Sequence, residues 1–205
     1  GTPTTRPDGT IDPGKGEIEA VIEELKMGRD KPGRIAYQQL MAQAYAGSTH
    51  GESVIGVESV LRAMTAEMLR DYRDEFYSPN NVIFGAAGPV KHDDFVKLIE
   101  QKFGHLQPTN FPPLAVPEYK GGMGVSEHKA AQMAIVLLAA NAVDTAHPDA
   151  IAYEALGEIL GGGFSSRLMD QVREQRGLVY GIGTGPSVRD HSALIRGSAQ
   201  SENAN

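Results

Sequence analysis

Two pairs of side chains able to do chemistry stand seven residues apart in this sequence. Glu17 and Glu24 lie in GEIEAVIEELKM, and seven residues make almost two turns of an α-helix, so both carboxylates share one face. One or two carboxylates hold a metal poorly without imidazoles beside them. The same residues also suit a solvated helix start, where acidic groups answer the helix dipole. Arg173 and Tyr180 lie in REQRGLVY, the arginine on the last turns of a predicted helix and the tyrosine on an extended stretch after Gly177. Such a helix–glycine–strand turn can bring a guanidinium and a phenol together as fixed hydrogen-bond donors. A helix C-terminal cation and a core aromatic ring would use the same residues.

Other chemistry is sparse. The 205 residues contain no Cys, which removes disulfide scaffolds, Cys-ligated zinc, iron–sulfur clusters and thiol nucleophiles. The six His (His50, His92, His105, His128, His147 and His191) are nowhere closer than the 13 residues from His92 to His105, and read as surface or turn residues. The run from Gly161 to Ser166 superficially resembles a phosphate loop but lacks GK[ST] and joins two predicted helices. The run from Gly181 to Gly185 is followed by Pro186, with no helix opening there, so neither binds a nucleotide. Gly161, Gly162 and Gly163 fit better as a place where backbone approaches closely beside a substrate strand.

The charge balance of 26 acidic against 19 Lys plus Arg residues gives a net charge of −7 without a basic cluster, which argues against nucleic acid as a partner. With 40 % hydrophobic residues the chain can bury a core and is no disordered tail. Its longest apolar run, Ala130 to Val143, has 14 residues with Gln132 inside it, short of the roughly 20 that a membrane helix needs. No basic stretch followed by an apolar one opens the sequence. The expectation is a soluble protein without a membrane span.

The elements that must position the two pairs follow from periodicity and punctuation. Residues 1–16 read as a flexible lead, and 17–46 as two helices interrupted at Lys31-Pro32-Gly33. Thr65 caps a helix carrying Leu69, Tyr72 and Phe76 inward, stopped by Ser78-Pro79-Asn80-Asn81. Val82–Ala87 reads as a short strand, and Asp93 and Asp94 open a helix through Phe103. Residues 108–123, rich in Pro and Gly, read as a linker between a first unit (17–107) and a second (124–205). The second unit begins with a buried strand from Gln132 to Ala140, then a helix from Pro148 with Ile151, Ala155, Leu156 and Ile159 inward. Ser165 or Ser166 caps the next helix, Gly177 ends it, and Val188–Gln200 reads as a hairpin. Ser201 to Asn205 read as an N-cap and first turn, so the sequence reads as a piece of a longer polypeptide. The order predicts α+β: two partial α/β units with mainly antiparallel sheets flanked by helices.

The run LGGGFSSRLMDQVREQRGLVYGIGTG (Leu160 to Gly185) resembles the glycine-rich signature of the second domain of the insulysin, pitrilysin and mitochondrial processing peptidase family. EIEAVIEELKM (Glu17 to Met27) and LRDYRDEFYSPNNVIFGAAG (Leu69 to Gly88) are similar to the back half of that family's first domain. The resemblance covers nearly all of residues 17–205 in the family's order. It implies a processing-peptidase-like fold and a metallopeptidase whose zinc is held by an HxxEH helix and a downstream Glu, the Glu of that helix serving as general base. By this resemblance Glu24 is the third zinc ligand, Glu17 its supporting carboxylate, and Arg173 with Tyr180 binds the substrate at the scissile region.

No HxxEH occurs in these 205 residues. The resemblance therefore implies one part of a zinc metalloendopeptidase that encloses unfolded peptides in a two-domain chamber. The remaining segments of the same polypeptide, or a partner subunit in a homo- or heterodimer, complete it. Two other readings stay open: a catalytically inactive partner that completes such a chamber, and a peptide-binding module. A bacterial cytoplasmic or periplasmic location suits any of them. The chain alone is expected to bind zinc weakly and to lack peptidase activity. Calorimetry with zinc and cleavage of an unfolded peptide check this: stoichiometric binding at micromolar or tighter affinity, or chelator-sensitive turnover, would overturn it.

Overall fold

The Pro32 punctuation divides two helices. In the computed structural model, α1 (Lys15–Arg29) and α2 (Pro32–Ala44) flank it, with the proline at the helix start, where its missing N–H costs no bond. The structure describes residues 4–5, 11–12, 15–110, 115–127, 133–189 and 192–202. The readings of Gln132, His128, His191, the turn at Asp190 and residues 203–205 fall outside these. By packing, the chain forms two units, Gly1–Ile18 with Ser59–Leu114, and Glu19–Glu58 with Ala115–Asn205.

In the first unit, Thr4–Thr5 (β1) pairs antiparallel with Ile11–Asp12 (β2), so the lead read as flexible carries a short ladder at those residues. Helices α3 (Glu58–Ala63), α4 (Ala66–Phe76) and α5 (His92–Phe103) follow. Thr65 Oγ1 accepts from the Met68 N–H at 3.2 Å, the expected cap. Asn81 Nδ2 donates to the Phe76 carbonyl at 2.9 Å and Thr109 Oγ1 to that of Glu75 at 2.7 Å, which satisfies orphan carbonyls at the end of α4. Val82–Ala87 is not a strand, contrary to the sequence reading. An extended apolar run becomes a strand only when a neighbour takes up its backbone groups, and among the described residues none does; Ile83 is 97 % exposed. Leu69 and Tyr72 are likewise exposed, not inward.

The second unit is built on an antiparallel sheet of order β3-β5-β4, comprising β3 (Met133–Asn141), β4 (Gly181–Arg189) and β5 (Ser192–Glu202). The register runs from Met133↔Glu202 to Asn141↔Leu194 and from Gly181↔Gln200 to Arg189↔Ser192. The expected hairpin is present, and β5 continues through Ser201 and Glu202, where a helix start was read. On β3, Ile135, Leu137 and Ala139 are half-buried while Val136 and Leu138 are exposed, so the strand is covered on one face, an arrangement that its apolar run allows. Its covered side meets α2: Met41, Ala44, Tyr45 and Leu194 form the core, with Tyr37, Tyr119 and Ala139 against it. Tyr119 Oη donates to the Ala139 carbonyl at 2.9 Å and the Lys120 N–H to that of Ala44 at 2.8 Å.

Helix α6 (Ala150–Gly161) presents a face opposite to the one its large residues suggest. Ile151, Ala155, Leu156 and Ile159 are exposed, and Tyr153, Gly157, Leu160 and Gly161 are turned inward. The reason is close approach: a Cβ on Gly157 would lie 3.2 Å from the Gly185 Cα, and one on Gly161 would strike the Thr184 backbone nitrogen. Thr184 Oγ1 donates to the Gly157 carbonyl at 2.8 Å. The fold class is α+β with antiparallel sheets, as the element order predicted.

Two measurements check this packing. Gly161→Ala should destabilise the protein by about 1–3 kcal/mol, the usual cost of overpacking, whereas Gly163→Ala, with nothing within 4 Å of its added Cβ, should be close to neutral; equal urea midpoints for both would contradict the contact of α6 with β4. A proteolytic nick between residues 104 and 110 should give two bands on a denaturing gel that co-elute in native gel filtration, because residues 19–58 pack with 115–202; native separation would contradict the packing of α2 on β3.

Candidate substrate-binding site

Arg173 and Tyr180 are placed by an unusual helix end. Residues Met169–Glu174 are wound as a π-helix, a form that often accompanies functional sites. The chain then reverses at Gly177, whose φ of +62° is the left-handed conformation that glycine adopts without a Cβ penalty. The Gly177 N–H bonds the Arg173 carbonyl at 3.0 Å and the Leu178 N–H bonds that of Val172 at 3.1 Å. Each bond spans one residue more than in the usual Schellman closure, as expected where the preceding turn is already wide. Ser166, one of the two residues read as a cap, has its Oγ buried without a hydrogen-bond partner.

Beyond the turn, the Tyr180 N–H donates to the Gln200 carbonyl at 2.9 Å, extending the β4–β5 ladder by one rung. Ser201 Oγ donates to the Leu178 carbonyl at 2.6 Å. The residues on both sides of Gly177 are thus fixed, while the functional groups remain accessible. Tyr180 is 61 % exposed. Arg173 is partly exposed, with Nη1 3.3 Å from the Glu174 carboxylate. Tyr180 Oη donates to Glu202 Oε1 at 2.8 Å. That bond, followed by the charge of Glu202, raises the phenol above its ordinary pKa, because ionisation would lose the proton the carboxylate accepts. Arg173 and Tyr180 each engage a carboxylate, and the turn carries both.

The other sequence-derived residues separate into two groups. Gly161 packs on β4 at Gly183 and Thr184, three to four residues along the chain from Tyr180, or roughly 10–13 Å at the rise of a strand. Gly162 forms the C-cap of α6, and Gly163 lies in open space. Glu17 and Glu24 lie on exposed positions of α1, with Ile22, Leu25 and Gly28 buried. Among the described residues no three His, Cys, Asp or Glu side chains converge as a metal site. Two solvent-facing carboxylates without an imidazole do not fit zinc by themselves, and Arg173 and Tyr180 donate rather than ligate.

The sequence reading missed Ser201 and Glu202. The alternation of small and polar residues in GSAQSE was the available signal for strand continuation, but Glu202 stands 22 residues from Tyr180, and only the β4–β5 register brings them together.

Comparison with known proteins identifies the family. Residues 63–205 match a family model described as the peptidase M16 inactive domain. The chain is 29 % identical over 182 residues to the uncharacterized zinc protease YmxG of Bacillus subtilis, covering 88 % of this chain and 44 % of that protein. It is 30 % identical over 171 residues to the uncharacterized zinc protease ML0855 of Mycobacterium leprae, covering 81 % of this chain and 38 % of the relative. The chain thus spans less than half the length of these curated relatives. The crystal structure of a peptidase M16 inactive domain from Pseudomonas fluorescens superposes with a TM-score of 0.76 at 23 % identity, over 98 % of this chain and 48 % of that one. The match over residues 63–205, more than half of the chain, places this protein in the M16 peptidase family.

Proposed function

We propose that this chain is the substrate-facing part of a two-domain zinc metalloendopeptidase that cleaves unfolded peptides, with HxxEH supplied from outside these 205 residues. The observation that carries the reading is the Arg173–Gly177–Tyr180 turn: a bonded, strand-anchored reversal with a partly exposed guanidinium on one side and an exposed phenol on the other. The guanidinium offers several fixed donors to a peptide carbonyl, and the phenol offers one that strengthens as charge develops on the carbonyl oxygen. Of Gly161, Gly162 and Gly163, only Gly163 has open space where a Cβ would stand, and there a peptide backbone could approach. On this reading Glu24 and Glu17 contribute to the zinc site only when the imidazoles are present.

Other surfaces support association with further polypeptide, whether the rest of the same chain or a partner subunit. On the outward face of β3, Val136 and Leu138 are 49 % and 68 % exposed, and neighbouring exposed apolar side chains mark a surface that something covers. A second reading, a catalytically inactive subunit completing another subunit's chamber, draws on the absence of HxxEH from the sequence. Both readings place the peptide against Arg173 and Tyr180.

The test uses the assembly that contains HxxEH. Tyr180→Phe preserves the ring and removes one donor, so kcat/KM should fall roughly a hundred- to a thousandfold, the usual effect of losing one oxyanion donor, with the melting temperature almost unchanged. Unchanged turnover with a melting point several degrees lower would make Tyr180 a structural residue and overturn the proposal.

A further inference from the structure

The hydroxyl of Tyr180 has a single proton, and in this structure Glu202 holds it. A phenol can accept further hydrogen bonds on its lone pairs but can donate only one. Tyr180 Oη donates to Glu202 Oε1 at 2.8 Å, a charge-assisted bond and so stronger than a neutral one. Two other contacts put Glu202 in place from the same strand: the Tyr180 N–H on the Gln200 carbonyl and Ser201 Oγ on the Leu178 carbonyl. The end of β5 therefore grips residues 178–180 by backbone, hydroxyl and carboxylate in succession.

We propose that Glu202 is a competing acceptor that a substrate carbonyl must displace before Tyr180 can donate to it. The inference rests on the substrate-binding reading of Tyr180 and adds a residue to that site. In the free protein the donor is occupied, and the phenol presents only acceptor lone pairs. A peptide carbonyl reaches its donor when the hydroxyl turns away from Glu202, and each binding event gives up the Tyr180–Glu202 bond. Substrate affinity is lowered by the worth of that bond. Ser201 has a different part: by holding the Leu178 carbonyl it keeps the Tyr180 backbone in place whichever way the hydroxyl points.

The test uses the assembly containing HxxEH, with that motif's Glu replaced by Gln so that peptide binding is read without cleavage. Glu202→Gln keeps the size of the side chain and removes its charge; Glu202→Ala removes the acceptor. Both should tighten the Kd of an unfolded peptide, by about two- to tenfold for the alanine variant, the worth of one ordinary hydrogen bond. Both should also bring the Tyr180 phenol, read as the ultraviolet difference from Tyr180→Phe, down toward its ordinary titration. In a Tyr180→Phe background neither substitution should alter Kd. A Glu202 that only steadied the end of β5 would give weaker binding and a lower melting temperature when replaced, and that result, or an unchanged Kd, overturns the inference. If Tyr180→Phe leaves kcat/KM of the cleaving assembly untouched, the substrate-binding reading itself fails, whereas a loss there with no tightening at Glu202 removes this inference alone.

Discussion

The central position of β5 is the constraint on which the second unit depends. Its two ladders hold β3 on one side and β4 on the other, and each carries a different part of the molecule. Through β3 the sheet meets α2 and closes the core around Tyr45 and Leu194. Through β4 it holds α6 by the glycine contacts and ends beside the turn that carries Arg173 and Tyr180. A slip of one residue in the β4–β5 register would move every side chain of one strand to the other face, separating Tyr180 from Glu202 and Ser201 from the Leu178 carbonyl. Candidate site and core are therefore fixed by the same set of backbone hydrogen bonds.

Local features were legible in the sequence because their causes are local. Pro32 starts α2, Thr65 caps α4, and Gly177 takes the left-handed conformation, each for a reason contained within a few residues. The Arg173–Tyr180 turn could be read for the same reason, since helix, glycine and strand follow one another within eight residues. Features with distant causes were misread. Val82–Ala87 has the composition of a strand but no ladder among the described residues, and α6 turns Gly157 and Gly161 toward the sheet because β4 leaves no room for a Cβ. Periodicity counts apolar side chains and cannot register that the tightest contact is made by residues without one. Ser201 and Glu202 were misread at the boundary of an element, where a Ser-Glu pair serves a helix cap and a strand end equally well.

The two carboxylates read as metal residues show the same division from the other side. The seven-residue spacing does place Glu17 and Glu24 on α1, yet both are exposed and no metal-holding group of His, Cys, Asp or Glu converges among the described residues. A metal site needs ligands from several elements, and spacing within one helix specifies only part of it. Arg173 and Tyr180 differ in that one turn of the chain, at Gly177, sets the backbone on both of its sides.

The most direct test is a structure of the assembly containing HxxEH, with that motif's Glu changed to Gln and an unfolded peptide bound. The account predicts a peptide carbonyl oxygen within about 2.7–3.1 Å of Tyr180 Oη, the Arg173 guanidinium on the same peptide segment, and the Tyr180–Glu202 bond broken. A peptide bound elsewhere, with Tyr180 still donating to Glu202 and Arg173 still beside Glu174, would contradict it.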